Sequence, residues 1–263
     1  MQETKRALIV VRTYPTPAKK GIEVSCTAAI TAAGEWLRLF PVPYRFLDKE
    51  QRFRKYQWVD ARVEKASDAR PESFKLIYPD PIRVVSETLP TDNRWLERRR
   101  IVDPLKGHCL CCLQKQRRER GSPTLGIFKP RRITRLLIEQ DAATWTDEQL
   151  QILRQQHLFR DAPSEELEKV PFKFKYEFMC NHDECVGHTL ICTDWEMGQS
   201  WRSWRDMYSE QWQEKFRQRY EQEMIGKYDT HFYVGTVHQH PDAWIIVGLF
   251  YPPKPQMDSL FSE

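Results

Sequence analysis

The sequence predicts an α+β protein: a β-rich, barrel-like N-terminal part, a basic helical insertion, and a C-terminal sheet with a long helix and a zinc knuckle. Three observations predict it. Short β-branched and aromatic runs broken by turn residues fill the first part, an arginine-rich block follows, and strict alternation and helical aromatic spacing share the last part. The corresponding boundaries are residues 1–90, 91–165 and 166–263. With 40% apolar and 30% charged residues among 263, the chain can bury a sizeable core and is too apolar to remain disordered.

Arg6 to Arg12 reads as a first strand. In Tyr14-Pro15-Thr16-Pro17 two prolines cannot donate to a ladder, so the chain is expected to leave the sheet there. Glu23 to Thr31 and Glu35 to Phe40 are β-rich runs joined across Ala33-Gly34, a hairpin turn, and Pro41-Val42-Pro43 ends the second. Tyr56 to Glu64 alternates as another strand, and this spacing suits a small sheet or barrel. Thr91-Asp92 is a candidate N-cap for an arginine-rich helical stretch that breaks at Pro104 and resumes toward Arg120. Gly121-Ser122-Pro123 marks a turn, Leu125 to Phe128 and Ile133 to Glu139 read as short strands, and Thr146 caps a helix to about His157. Phe172 to Phe178 alternates strictly, placing four aromatics on one face and three charges on the other. A strand over His188 to Thr193 follows. From Trp195 to Met224 the steps of three and four between Trp201, Trp204, Tyr208, Trp212, Phe216 and Tyr220 predict one long helix with an apolar stripe. His231 to Val237 and Trp244 to Tyr251 form a hairpin across His240-Pro241-Asp242.

The sharpest constellation is Cys180-x4-Cys185-x2-His188 at the tip between two predicted strands. Two thiolates and an imidazole at such short intervals can converge on one tetrahedral zinc ion. Cys192 is the nearest fourth ligand, and His182, Asp194 or a member of the His108-Cys109-Leu110-Cys111-Cys112 group could also serve. Buried free thiols are the bland reading of both clusters. For hydrolysis, Glu177, Asp194 and Glu196 could gather around a hard cation, with Lys173 and Lys175 on the same strand. Asp194 and Glu196, however, sit where a helix starts, and cap and dipole chemistry explain them equally well. No glycine-rich phosphate loop, nucleophile elbow or His-Glu-x-x-His is present.

Net charge is only +4, but it is unevenly spread. Between Asn93 and Arg135 thirteen lysines or arginines face three acids, so the rest of the chain is net negative. Arg98, Arg99, Arg100, Arg117, Arg118, Arg131 and Arg132 are therefore candidate contacts to nucleic-acid phosphates, weighed against a solvated helix face. The aromatic face of Phe172, Phe174, Tyr176 and Phe178 can stack bases, although a sheet core explains it more cheaply. Seven scattered cysteines and the lack of a long hydrophobic segment point to a cytoplasmic protein, with metal favoured over disulfides and no membrane partner.

The segments Arg12-Thr13-Tyr14-Pro15, Cys26-Thr27-Ala28, Trp36 to Pro43, Asp68 to Ser73, Leu125 to Pro130, Pro171 to Tyr176, Cys180 to His188, Asp194-Trp195-Glu196 and Val234-Gly235-Thr236 resemble a group of uncharacterised bacterial proteins. The N-terminal part also resembles domains built from paired oligonucleotide-binding barrels. The expected function is nucleic-acid binding, DNA or RNA, with a structural zinc site, in a bacterial mobile-element or antiviral locus. A metal-dependent nuclease is the second reading, and a protein-interaction subunit of a larger complex the third.

Overall fold

The computed structural model describes residues 2–19, 22–155, 163, 165–238 and 240–255. Its first strand, β1 (Gln2–Arg12), carries five consecutive apolar residues, Ala7 to Val11, all fully buried. Such a run means that both faces of the strand are covered. Ala7 and Ile9 belong to the interior of an N-terminal barrel, whereas Leu8, Val10 and Val11 join a second cluster with Val247 and Phe250 from the C-terminal end. A register shift between Ile9 and Val11 lets two adjacent valines share that side.

The remaining strands of this half are β2 (Thr16–Ala18), β3 (Ile22–Thr31), β4 (Trp36–Val42), β5 (Trp58–Lys65), β6 (Ser73–Leu76) and β7 (Ile82–Val84). Because β1 pairs antiparallel with both β3 and β5, and β4 pairs in parallel with β6, the path β1-β3-β4-β6-β5 closes into a five-stranded barrel. The β3–β4 turn is the expected one, with Gly34 at φ +79°. The prolines before β3 do not take the chain out of the sheet. Thr16–Ala18 pairs at the edge of β3, where Pro17 is tolerated because an edge strand leaves one side unpaired.

The second half follows α1 (Asp92–Val102) and consists of β8 (Lys106–Gly107), α2 (Leu110–Arg120), β9 (Leu125–Phe128), β10 (Arg132–Gln140), α3 (Asp147–Arg154), β11 (Phe172–Met179), β12 (His188–Cys192), α4 (Trp195–Tyr208), α5 (Trp212–Arg217), α6 (Glu223–Gly226), β13 (His231–Val237) and β14 (His240–Phe250). The seven strands run in the order β10-β11-β12-β14-β13-β9-β8. Thr146 caps α3 through a capping box, and Gly121 ends α2 in the left-handed region. His157, the expected end of α3, lies outside the described residues. Thr91 makes no cap bond, and Asn93, Arg94 and Trp95 hold positive φ, so the regular part of α1 starts after them.

The helical run after Asp194 covers the expected residues in three pieces. It breaks at Ser209, whose φ is +48°, and widens to a π turn over Gln218–Gln222. Trp201, Phe216, Tyr220 and Met224 are buried against β11. Phe174 stacks on Phe216 at 4.4 Å between ring centroids, and the Tyr176 hydroxyl donates to the Tyr220 carbonyl at 2.6 Å. The aromatic face of β11 is therefore sheet core and is not open to nucleic-acid bases.

The two halves meet through the buried cluster shared by β1 and β14 and through polar links. The Tyr14 amide donates to the Thr193 carbonyl at 2.9 Å, Arg38 to the Thr124 carbonyl at 2.8 Å, and Arg70 to the Thr236 carbonyl at 3.0 Å. Lys55 of the barrel half lies 3.3 Å from both the Asp194 and the Glu196 carboxylates of the other half. Burial alone would lower the Lys55 pKa, but the two carboxylates outweigh it and hold the ammonium well above its usual range. Lys55→Met should cost about 3–5 kcal/mol, the range for removing one partner of a buried pair. Urea denaturation would measure this, and a loss below about 1 kcal/mol, as for exposed pairs, would rule out a structural role.

Candidate metal centre and basic surface

Strand pairing sets Phe178 of β11 opposite His188 of β12, so residues 179–187 form the tip between them. Cys180 and Cys185 are buried at this tip, and the Cys180 amide donates to the Cys185 sulfur at 3.2 Å. Gly187 has φ +97°, and a Cβ there would approach the Met179 sulfur at 3.3 Å, so the tight return to His188 requires glycine. The fourth group arrives from α2. Cys109 caps that helix through its sulfur, which accepts from the Cys112 amide at 3.1 Å, and the first turn then points Cys111 at the tip. Cys111 Sγ lies 3.2 Å from His188 Nε2.

The ligand atoms of Cys111, Cys180, Cys185 and His188 all lie within 4.8 Å of one another, and among the described residues this is the one group of its kind. Three sulfurs and one nitrogen are the four donors that a closed tetrahedral site uses, and this group could hold a metal ion. Burial, with the neighbouring sulfurs of Cys180 and Cys185, pushes the Cys111 thiol up to about 12, and burial pushes Cys180 up to about 11. Cys185 is raised by burial but held below its ordinary value by the backbone amides of Cys180 and Gly187. Crowded thiolates repel one another, and a bound cation reverses that balance. Burial lowers His188 and keeps its imidazole neutral, the form that ligates.

Cys192, expected as fourth ligand, is not in the group. It stands four positions along the strand from His188, roughly 13 Å of extended chain, and it lies in the core paired in register with Phe174 and Ile246. Cys111 takes its place. His182 and Asp194 are occupied elsewhere: the His182 ring accepts from the Glu184 amide, and Asp194 is engaged with Lys55.

Of the three acids expected to serve hydrolysis, Asp194 and Glu196 meet at Lys55, which neutralises them, and Glu177 is held apart. Glu177 stands on the outer face of β11, paired with Arg135 at 2.5 Å. Asp194 caps α4 through the Glu196 amide at 2.8 Å, and its second oxygen accepts from the Leu249 amide at 2.9 Å as well as from Lys55. Burial raises Asp194. Burial would also raise Glu196, but Lys55 and the Tyr251 hydroxyl hold it below its ordinary range. Lys55 carries no sequence signal of this role, because nothing local marks a single lysine on a loop.

The predicted cations divide by role. Arg98 is buried and donates to the Leu89 carbonyl, and Arg99 pairs with Asp103 at 3.1 Å. Arg117 donates to the Gly121 carbonyl at its own helix end. Arg100, Arg118, Arg131 and Arg132 are exposed, as are Arg94, Lys115 and Arg120, and among the described residues none of these seven lies within ion-pair distance of a carboxylate. The Arg131 amide donates to the Met179 carbonyl at 2.9 Å, which places Arg131 and Arg132 beside the metal centre.

Two β-sheet units joined by a short turn, with a Cys3His centre in the second, define the architecture. Residues 106–263 match a domain of unknown function, DUF8757, and residues 3–104 match another, DUF8758. The first match covers more than half of the chain, and the protein belongs to the DUF8757 family. The two matches meet at the turn Asp103–Leu105, between α1 and β8. No curated protein matches the chain. Among solved structures, a murine DNA-binding protein bound to double-stranded DNA is similar at 9% identity and a TM-score of 0.33, over 97% of this chain and 100% of that one; a likeness at this level carries no argument. Among the described residues no helix is long and apolar enough to cross a membrane.

Cys111→Ala should lose the bound ion, whereas Cys192→Ala should retain it at some cost in packing. Elemental analysis of both purified variants checks this, and metal loss in the second alone would restore Cys192 as a ligand. Protons compete with the ion for thiolates and imidazole, so metal affinity should fall as pH falls and recover on neutralisation. A chromogenic chelator titration between pH 8 and pH 5 would follow the release; affinity independent of pH would exclude thiolate ligation.

Proposed function

We propose that the protein binds the backbone of nucleic acid through exposed cations and carries a structural zinc centre. The observation that carries this reading is the set of seven exposed cations without carboxylate partners among the described residues, Arg94 and Arg100 on α1, Lys115, Arg118 and Arg120 on α2, and Arg131 and Arg132 at the start of β10, within a chain whose remaining charge is net negative. The centre ties two of these elements at one point, since Cys111 lies in the first turn of α2 and Arg131 is bonded to the strand that leads into Cys180. Three thiolates and a neutral imidazole in a closed site suit zinc in a structural role. A setting in a bacterial mobile-element or antiviral locus is part of this proposal.

Uncompensated like charges repel in the folded state, and a polyanionic partner relieves that cost. Phosphate contacts carry no base information, so affinity should depend weakly on sequence and steeply on salt. Replacing Arg118, Arg120, Arg131 and Arg132 together by Gln should reduce the slope of log affinity against log salt by about 3 to 4, since each lost phosphate contact removes about 0.9. Thermal stability should hardly change, because these side chains are exposed. Fluorescence anisotropy with single- and double-stranded DNA and RNA reads both affinity and slope. If nothing binds more tightly than roughly 10⁻⁴ M, the level of non-specific contacts, the surface faces a protein partner instead.

A further inference from the structure

A cleft of about 660 Å³ opens where the barrel and the second sheet meet, away from the metal centre. Arg54 and Lys55 line it from the loop before β5, Arg98 from α1, Arg219 from the π turn, and Tyr228 and Tyr251 from the C-terminal half. Among the described residues Glu196 is the one acid on its wall, and Lys55 and the Tyr251 hydroxyl already hold that carboxylate.

Arg98 is the informative residue. It is only 7% exposed, and no carboxylate among the described residues lies within ion-pair distance of it. Its Nε and Nη2 both donate to the single Leu89 carbonyl, while the guanidinium lies 4.2 Å from the Tyr56 ring centroid and 4.7 Å from that of Trp95. Ring faces and one carbonyl orient such a cation without neutralising it, and a buried charge without a counter-ion is costly. Arg54 on the rim also lacks a carboxylate partner among the described residues, and Arg219, paired with Glu223, lies over the rings of Tyr228 and Tyr251 at 5.0 Å each. Three guanidinium groups and a half-buried pair of tyrosine rings around one cleft match an anion attached to a flat ring.

We infer that this cleft binds a nucleoside phosphate, with Arg98, Arg54 and Arg219 contacting the phosphate and the Tyr228–Tyr251 pair, packed edge-to-face at 5.4 Å, forming one wall beside the base. The site is separate from the α2 surface and does not depend on it. The same chemical group is offered by a free mononucleotide and by the phosphorylated end of a strand.

Isothermal titration of the full chain at low salt uses AMP, GMP, CMP and UMP, adenosine, and one short oligonucleotide with and without a terminal phosphate. Binding of mononucleotides but not of adenosine is expected. Binding confined to the end-phosphorylated oligonucleotide would support the same site with a strand end as its source. Arg98→Gln should weaken binding about 10- to 100-fold, the value of a hydrogen bond to a charged group. Because Arg98 is packed, Arg54→Gln, at an exposed position, serves as a second variant and should also weaken binding while melting like the wild type. The variant lacking Arg118, Arg120, Arg131 and Arg132 should bind mononucleotides as the wild type does, which keeps failure here distinct from failure of the backbone surface. The inference is overturned if no phosphate-bearing probe binds more tightly than about 1 mM, if adenosine binds as well as AMP, or if both single variants bind like the wild type.

Discussion

The architecture depends on Lys55 held between Asp194 and Glu196. Each half contributes one side of this interaction, and neither side is satisfied alone. Removing the Asp194 carboxylate and the Lys55 ammonium from water costs several kcal/mol for each, recovered only when every lone pair and proton finds a partner, while Glu196 keeps part of its carboxylate at the cleft. Asp194 meets that condition: it caps α4, accepts from the Leu249 amide of β14 and receives Lys55. One side chain thus fixes the start of a helix, the position of a strand and the seat of the barrel. Beside it Tyr14 stacks on Trp195, with ring centroids 5.6 Å apart, and lies so close to Gly198 that a Cβ there would fall 2.3 Å from its ring. Glycine at 198 is required by that approach.

The basic block divides into two groups that its composition does not separate. Part of it is internally paired: Arg99 and Lys106 share Asp103, Lys129 pairs with Asp229, and Arg135 pairs with Glu177, while Arg98 lines the separate cleft. The remainder faces solvent, with Arg131 and Arg132 beside the metal centre and Arg118 and Arg120 at the far end of α2. Counting charges along a chain overstates a binding surface for this reason, since partners are found in three dimensions. Glu177 on β11 and Asp229 before β13 quench cations that lie far from them in sequence.

Much of the fold was legible where pattern and burial coincide. The alternation of β11, the glycine turns at Gly34 and Gly121, and the capping box at Thr146 all specify local geometry through their own chemistry. Cys180, Cys185 and His188 were legible because all three lie on one short tip. Cys111 was legible only as one member of the 108–112 group, since its approach depends on how α2 packs, and three cysteines so close together give no sign of which one faces the tip. Cys192 was favoured by proximity along the chain, but extended strand carries residues apart quickly. Pro17 misled because the rule against strand prolines relaxes at an edge. The break at Ser209 carries no glycine or proline to announce it.

The double burial of β1 has a consequence for synthesis. Its inner face is covered once β3 to β6 have been translated, so a barrel can close while the second half is still on the ribosome. Its outer face, with Leu8, Val10 and Val11, belongs to a cluster completed by Val247 and Phe250, which emerge long after the barrel strands. During that interval a nascent barrel displays an apolar wall to the cell, the kind of surface that attracts chaperones and drives association between chains. In a protein divided into two family domains along its sequence, the outer face of the first strand thus stays uncovered until the β13–β14 hairpin is made.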